Sequence, residues 1–86
     1  MKVLVSPEFK RKYKKFARNN PKVSNLIDKR ISLFIENPKN KTLKLHKLKG
    51  KQQQWSISIN RSIRLLFQYI KEGIYITDIG SHDQVY

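Results

Sequence analysis

The 86-residue chain contains no cysteine, which rules out disulfide staples and thiolate metal sites and fits a cytoplasmic address. Acids are almost as scarce: six Asp and Glu stand against nineteen Lys and Arg, a formal net charge of +13. The acids are scattered and only two histidines, His46 and His82, exist. A metal site would need such ligands in a group, so no metal and no small-molecule cofactor is expected. No apolar run approaches the length of a membrane span, and no signal peptide or lipidation signal is recognisable, so no membrane association is expected.

What is abundant is positive charge, and it is uneven. Residues 1–50 hold fifteen Lys/Arg and three acids, whereas residues 51–86 hold four and three. Such an excess costs self-repulsion and is more than solubility needs, which points to a polyanionic partner, either nucleic acid or an acidic protein. A chain of this length has interior for one core, so residues 1–86 are read as a single domain.

Hydrophobic spacing sets the elements. Residues 1–5 read as a strand. Ser6-Pro7-Glu8 spells a helix start, with a hydroxyl cap, a proline whose missing N–H is not needed there, and an acid near the positive dipole end. Phe9, Tyr13, Phe16 and Ala17 then fall on one stripe, with Lys10, Arg11, Lys12, Lys14, Lys15 and Arg18 around it. Asn20-Pro21 restarts a second helix, whose core stripe is Val23, Leu26, Ile27, Ile31 and Phe34, and Asn37-Pro38 ends it. After Pro38 the period becomes two: Leu43 and Leu45; Trp55, Ile57 and Ile59; Ile63, Leu65, Phe67 and Tyr69. Asn60-Arg61-Ser62 and Lys71-Glu72-Gly73 are tight turns. The expected fold is α+β, an N-terminal strand and a helical hairpin packed on one face of a twisted antiparallel sheet of four to five strands.

The residues opposite the core side, Lys44, His46, Ser56, Ser58, Arg64 and Gln68, should share the other face as a polar, basic trough. The last strand, Ile74 to Thr77, is expected to be broken by Gly80, which would turn the chain so that His82 and Tyr86 reach this trough. Metal-free RNA cleavage suits the inventory. The 2′-hydroxyl beside the scissile phosphate is the nucleophile, so the protein needs groups to take and return a proton and fixed cations for the developing charge. Histidine suits the proton steps, Arg and Lys the charge, and an aromatic can stack on an unpaired base. Each residue also has a plainer role: His46 and His82 as surface histidines, Arg61 and Arg64 as solvated or paired cations, Trp55 as core, Tyr86 packed on the sheet edge.

Taken together, LKLHKLKG, WSISINRSIRLLFQY and YITDIGSHDQVY, behind a strand and a helical hairpin, resemble the RelE/ParE toxin superfamily of bacterial type II toxin-antitoxin systems, nearest its RelE and YafQ branches. The likeness covers essentially the whole chain. It implies a ribosome-dependent mRNA endoribonuclease, an mRNA interferase, with an acidic antitoxin as partner and the ribosome and mRNA as targets. It implies His46, His82 and Tyr86 at the active site by the YafQ pattern. By the RelE pattern it adds Lys47 and Lys49 as RNA contacts and Arg61 and Arg64 at the scissile phosphate; Lys44, placed on the basic trough by the alternation, is a further candidate RNA contact. Ser58 and Ser62 replace a histidine and an aspartate of the YafQ branch, and Asp78 replaces a basic residue. Asp78 and Asp83 are candidates to orient His82. The alternatives are a ParE-like inhibitor of DNA gyrase and a catalytically weakened relative that only binds RNA or its antitoxin.

Overall fold

The computed structural model describes residues 1–50 and 53–85. Strand β1 (Lys2–Val5) leads into helices α1 (Pro7–Asn19) and α2 (Pro21–Glu36), followed by a 3-10 turn at Lys41–Leu43. Strands β2 (His46–Lys47), β3 (Trp55–Ser58), β4 (Ile63–Ile70) and β5 (Gly73–Ser81) and a terminal turn of helix, α3 (His82–Val85), complete the chain. The sheet order is β1-β5-β4-β3-β2. Strands β2 to β5 are antiparallel as expected, but β1 joins β5 in parallel, so the sheet is mixed. The helical hairpin carries the chain from β1 at one edge of the sheet to β2 at the other, and the β2–β5 meander then returns to lie beside β1.

Local chemistry explains the helix boundaries. Ser6 Oγ accepts from Phe9 N at 3.0 Å and donates to the Thr77 carbonyl at 2.7 Å, so one hydroxyl caps α1 and ties its start to β5. Such a cap contributes about 1 kcal/mol. Asn20 ends α1, its N–H bonded to Phe16 O at 2.7 Å, and also precedes Pro21 as the cap of α2. On α1 the buried stripe is narrower than expected: Phe9, Tyr13 and Phe16 pack inward, and Ala17 is exposed. Tyr13 keeps its hydroxyl at the surface and donates to Asp28 Oδ1 on α2 at 2.7 Å, pinning the hairpin.

Between the helices and the sheet lies one core of Phe9, Ile27, Phe34, Leu43, Ile57, Ile59, Leu65, Phe67, Ile74, Ile76 and Ile79. Phe34 of α2 meets Phe67 of β4 edge-on with centroids 5.0 Å apart, and Trp55 packs edge-on against Tyr69 at 5.3 Å. Trp55 is thus partly buried core and not a platform for a base. Leu43 and Lys44 depart from the expected strand. Leu43 closes the 3-10 turn, fully buried, and Lys44 follows in the left-handed region (φ 48°). Only His46 and Lys47 then pair with β3.

Candidate functional site

Strand register places the site residues. His46 pairs with Ser56, Ser56 with Leu66, and Leu66 with Asp78. Two residues along, Ser58 pairs with Arg64 and Arg64 with Gly80. Directly paired residues point to the same side of a sheet, so His46, Ser56, Ser58, Arg64 and Gln68 share the face opposite the helices, as the alternation predicts. Lys44 lies outside the strands and does not belong to this row. Lys47 pairs with Trp55 and takes the helix side of the edge strand, exposed. Lys49 and Gly50 form a turn in the loop closed by the Leu48 N to Gln54 O bond of 2.9 Å. Arg61 is exposed in the β3–β4 turn, where Asn60 Oδ1 accepts from Ser62 N and Ile63 N, both at 2.8 Å. Tyr86 lies outside the described residues.

The face is less open than an uncovered trough. Ser56, Ser58 and Leu66 are buried. The Gln54 side chain, just before β3, receives a 2.9 Å hydrogen bond from Thr77 Oγ1 on β5 and so spans β4. Helix α3 packs on β4 and β5 at the other end. Ser58 Oγ donates to the Asn60 carbonyl at 2.9 Å and so stabilises the turn that presents Arg61.

Two arginines hold a buried nitrogen unmatched among the described residues, Arg30 of α2 and, on this face, Arg64. Arg64 Nη1 is buried and has no hydrogen-bond partner among the described residues. A guanidinium donor left unmatched costs free energy, and Arg carries its donors in a fork whose geometry matches phosphate oxygens. His82 follows directly on β5: Ser81 pairs with Ile63, and His82, two-thirds exposed, begins α3. Arg61, Arg64 and His82 therefore lie toward one end of β4 and β5 in the strand register. His46 stands two strand spacings from Arg64, roughly 10 Å across and about 7 Å along the strands, and three spacings from β5, which it meets at Asp78, four residues before His82.

Two expectations about the C-terminal stretch change. Gly80 does not break the strand; it lies inside β5, paired with Arg64, and the chain turns only after Ser81. Asp78 does not orient His82. Its Oδ1 accepts from Lys12 Nζ of α1 at 2.7 Å and from Ile79 N at 2.8 Å. Asp83 Oδ1 lies 3.8 Å from His82 Nδ1 on a fully exposed side chain, where water screens the attraction.

A second basic surface escaped the sequence reading. A groove of about 530 Å³ runs between α1 and the end of β5, with Arg11, Lys12 and Lys15 on one side, Ser81 and Gln84 on the other, and Phe16, Ile63 and Ile79 beneath. The cations of α1 were legible as a basic helix exterior, but nothing in local spacing reveals which strand end they border. No group of three His, Asp or Glu side chains stands close enough to hold a metal, and no helix is long and apolar enough to cross a membrane, among the described residues.

Comparison with known proteins follows the same lines. YoeB from Staphylococcus aureus, solved as a dimer, superposes with a TM-score of 0.79 at 25% identity over 95% of this chain and 97% of that one. The heterotetrameric YoeB-YefM toxin-antitoxin complex from the same organism matches at 0.80, 25% identity and the same coverage. The DinJ-YafQ complex of E. coli matches at 0.81 and 16% identity over 99% and 97% of the two chains, a likeness of fold. No curated protein sequence matches the chain. The model of one family, described as the bacterial toxin of type II toxin-antitoxin systems, YafQ, matches residues 1–86 from end to end, and the chain belongs to that family.

Proposed function

We propose that this toxin is an mRNA interferase that acts on ribosome-bound messenger RNA in the cytoplasm and is held in check by an acidic antitoxin. The observation that carries the reading is the register at one end of β4 and β5, where Arg64, with a buried donor unmatched among the described residues, pairs with Gly80 two residues before the exposed His82. In the reaction the 2′-hydroxyl attacks the adjacent phosphorus, a cyclic phosphate forms and the 5′-oxygen leaves. One histidine takes the 2′ proton and another group returns a proton to the leaving oxygen. His82 is the first candidate for these steps and His46 its partner or an RNA contact from across the face. Arg64, with Arg61 on the turn, stabilises the charge on the phosphorane. Tyr86 is proposed to stack on a base, and Lys47 and Lys49 to hold the RNA backbone. Lys44, off the sheet, would contribute only long-range attraction.

The antitoxin partner is supported by the YefM and DinJ complexes of the similar toxins and by the charge of +13, which an acidic chain would neutralise. The decisive experiment maps the 5′ ends of a transcript translated with and without the toxin. New ends within codons, dependent on ribosomes and lost in His82→Ala, are expected. Intact transcripts with inhibited DNA supercoiling would overturn the reading in favour of a gyrase inhibitor.

A further inference from the structure

A four-residue helix has no stability of its own, because its nucleation cost is never recovered by propagation. Yet α3 is well seated. Ser81 N donates to Gln84 Oε1 at 2.9 Å, and Gln84 N donates back to Ser81 Oγ at 3.3 Å. The pattern Ser-x-x-Gln is a capping box, in which cap and third residue satisfy each other's free N–H groups. Beneath it Gly80 leaves room: a methyl group there would lie 2.7 Å from Gln84 Oε1 and 3.2 Å from Val85 Cγ1. Val85 is buried to 3% exposure although it stands outside the main core, so it anchors the far end of the turn.

The residue enclosed by the box is His82. Its backbone is held on one side by Ser81, paired in the strand with Ile63, and on the other by Gln84 and the buried Val85. Its side chain nevertheless remains two-thirds exposed. We infer that Gln84, seated over Gly80, is a positioning residue that fixes the main chain at His82 and with it the direction in which the exposed imidazole leaves the fold. The inference rests on the reading of His82 as a proton-transfer group. Misplacement by about 1 Å at such a group lowers a rate by up to roughly a hundredfold.

The test compares Gln84→Ala, Gln84→Glu and Gly80→Ala in the full-length toxin. Removal of the acceptor in Gln84→Ala is expected to lower kcat for cleavage by about tenfold to a hundredfold with KM and thermal midpoint little changed. Gln84→Glu keeps an acceptor oxygen for Ser81 N–H and should recover most of the rate. Gly80→Ala pushes on the same oxygen, so the Gly80→Ala/Gln84→Ala double variant should be no slower than the worse single one. In parallel, amide exchange at Ser81 and the NMR line shape of the His82 ring are recorded in the free toxin, with faster exchange and a broader ring signal expected in Gln84→Ala. Unchanged exchange and ring signals in Gln84→Ala overturn the inference whether or not RNA is cut. So does an unchanged kcat in Gln84→Ala while His82→Ala is inactive. Cleavage that survives in His82→Ala would instead fault the proton-transfer reading.

Discussion

Lys12 Nζ of α1 lies 2.7 Å from Asp78 Oδ1 of β5, joining residues 66 positions apart. The contact sits beside an irregularity in the β4–β5 register, where Leu66 pairs with Asp78 but Phe67 with Ile76, leaving Thr77 as the extra residue. A bulge re-aims the strand beyond it. Three contacts hold this one: Ser6 Oγ on the Thr77 carbonyl, Thr77 Oγ1 on Gln54, and Lys12 on Asp78. The segment they direct carries His82.

The first prediction concerns that pair. Both side chains are about a quarter exposed, so Asp78→Ala or Lys12→Ala should cost only about 1 kcal/mol of stability. A double-mutant cycle by urea denaturation should show coupling, because Asp78 and Lys12 touch directly. Strictly additive losses would show that the contact contributes nothing.

Arg64 should behave in the opposite sense. Its Nη1 is buried and unmatched among the described residues, a cost that Arg64→Ala relieves, so the thermal midpoint should change little. On the proposed mechanism, loss of this guanidinium should lower kcat by about a hundredfold to a thousandfold. Arg64→Lys, which keeps charge but not the fork, should recover only part of this in a single-turnover cleavage assay.

Gly73 is required for a different reason from Gly80. A side chain there would place its first carbon 2.0 Å from the Lys2 carbonyl oxygen, in the pairing between β1 and β5. Backbone cannot yield as a side-chain tip does, so Gly73→Ala should cost about 2–4 kcal/mol and expose the β1 amides to hydrogen exchange.

Alkaline pH offers a test of the helical hairpin. The Tyr13 hydroxyl is raised above its ordinary value of 10.0, first by its hydrogen bond to Asp28, then by burial and by the Asp28 charge. Above about pH 10 the unfolded state releases this proton before the folded state does, so the folded state binds more protons and stability falls as pH rises. The contribution is fully present below that pH and is lost as pH rises through the raised folded value. Tyr13→Phe should flatten this part of the pH–stability curve. Tyr69, raised by burial alone, should give a residual slope.

Much of the site was legible because strand alternation is strictly two-fold. Once Trp55, Ile57 and Ile59 were assigned to the core, Ser56 and Ser58 had to share the other face with Arg64 and His46. Lys44 was misplaced because a 3-10 turn and a two-residue strand are too short to show a period. Gly80 was read as a breaker because glycine supplies turns and close approaches alike, and only the neighbour that comes close distinguishes them.

What this sequence determined by itself is local or periodic: the Ser6 and Asn20 helix starts, the core stripe of α2 and most of that of α1, the β3–β5 meander and the side of the sheet on which the strand residues of β3 and β4 lie. Such features depend on nearest neighbours and on backbone geometry. Only the tertiary structure decided that β1 runs parallel to β5, that Asp78 serves Lys12 and not His82, and that α3 rests on a glycine. Each of these joins an element to a surface made elsewhere, and contacts across that distance leave no period in the chain. His82 illustrates both: its place at the end of the last strand was readable, but the hold that Gln84 and Val85 exert on it was not.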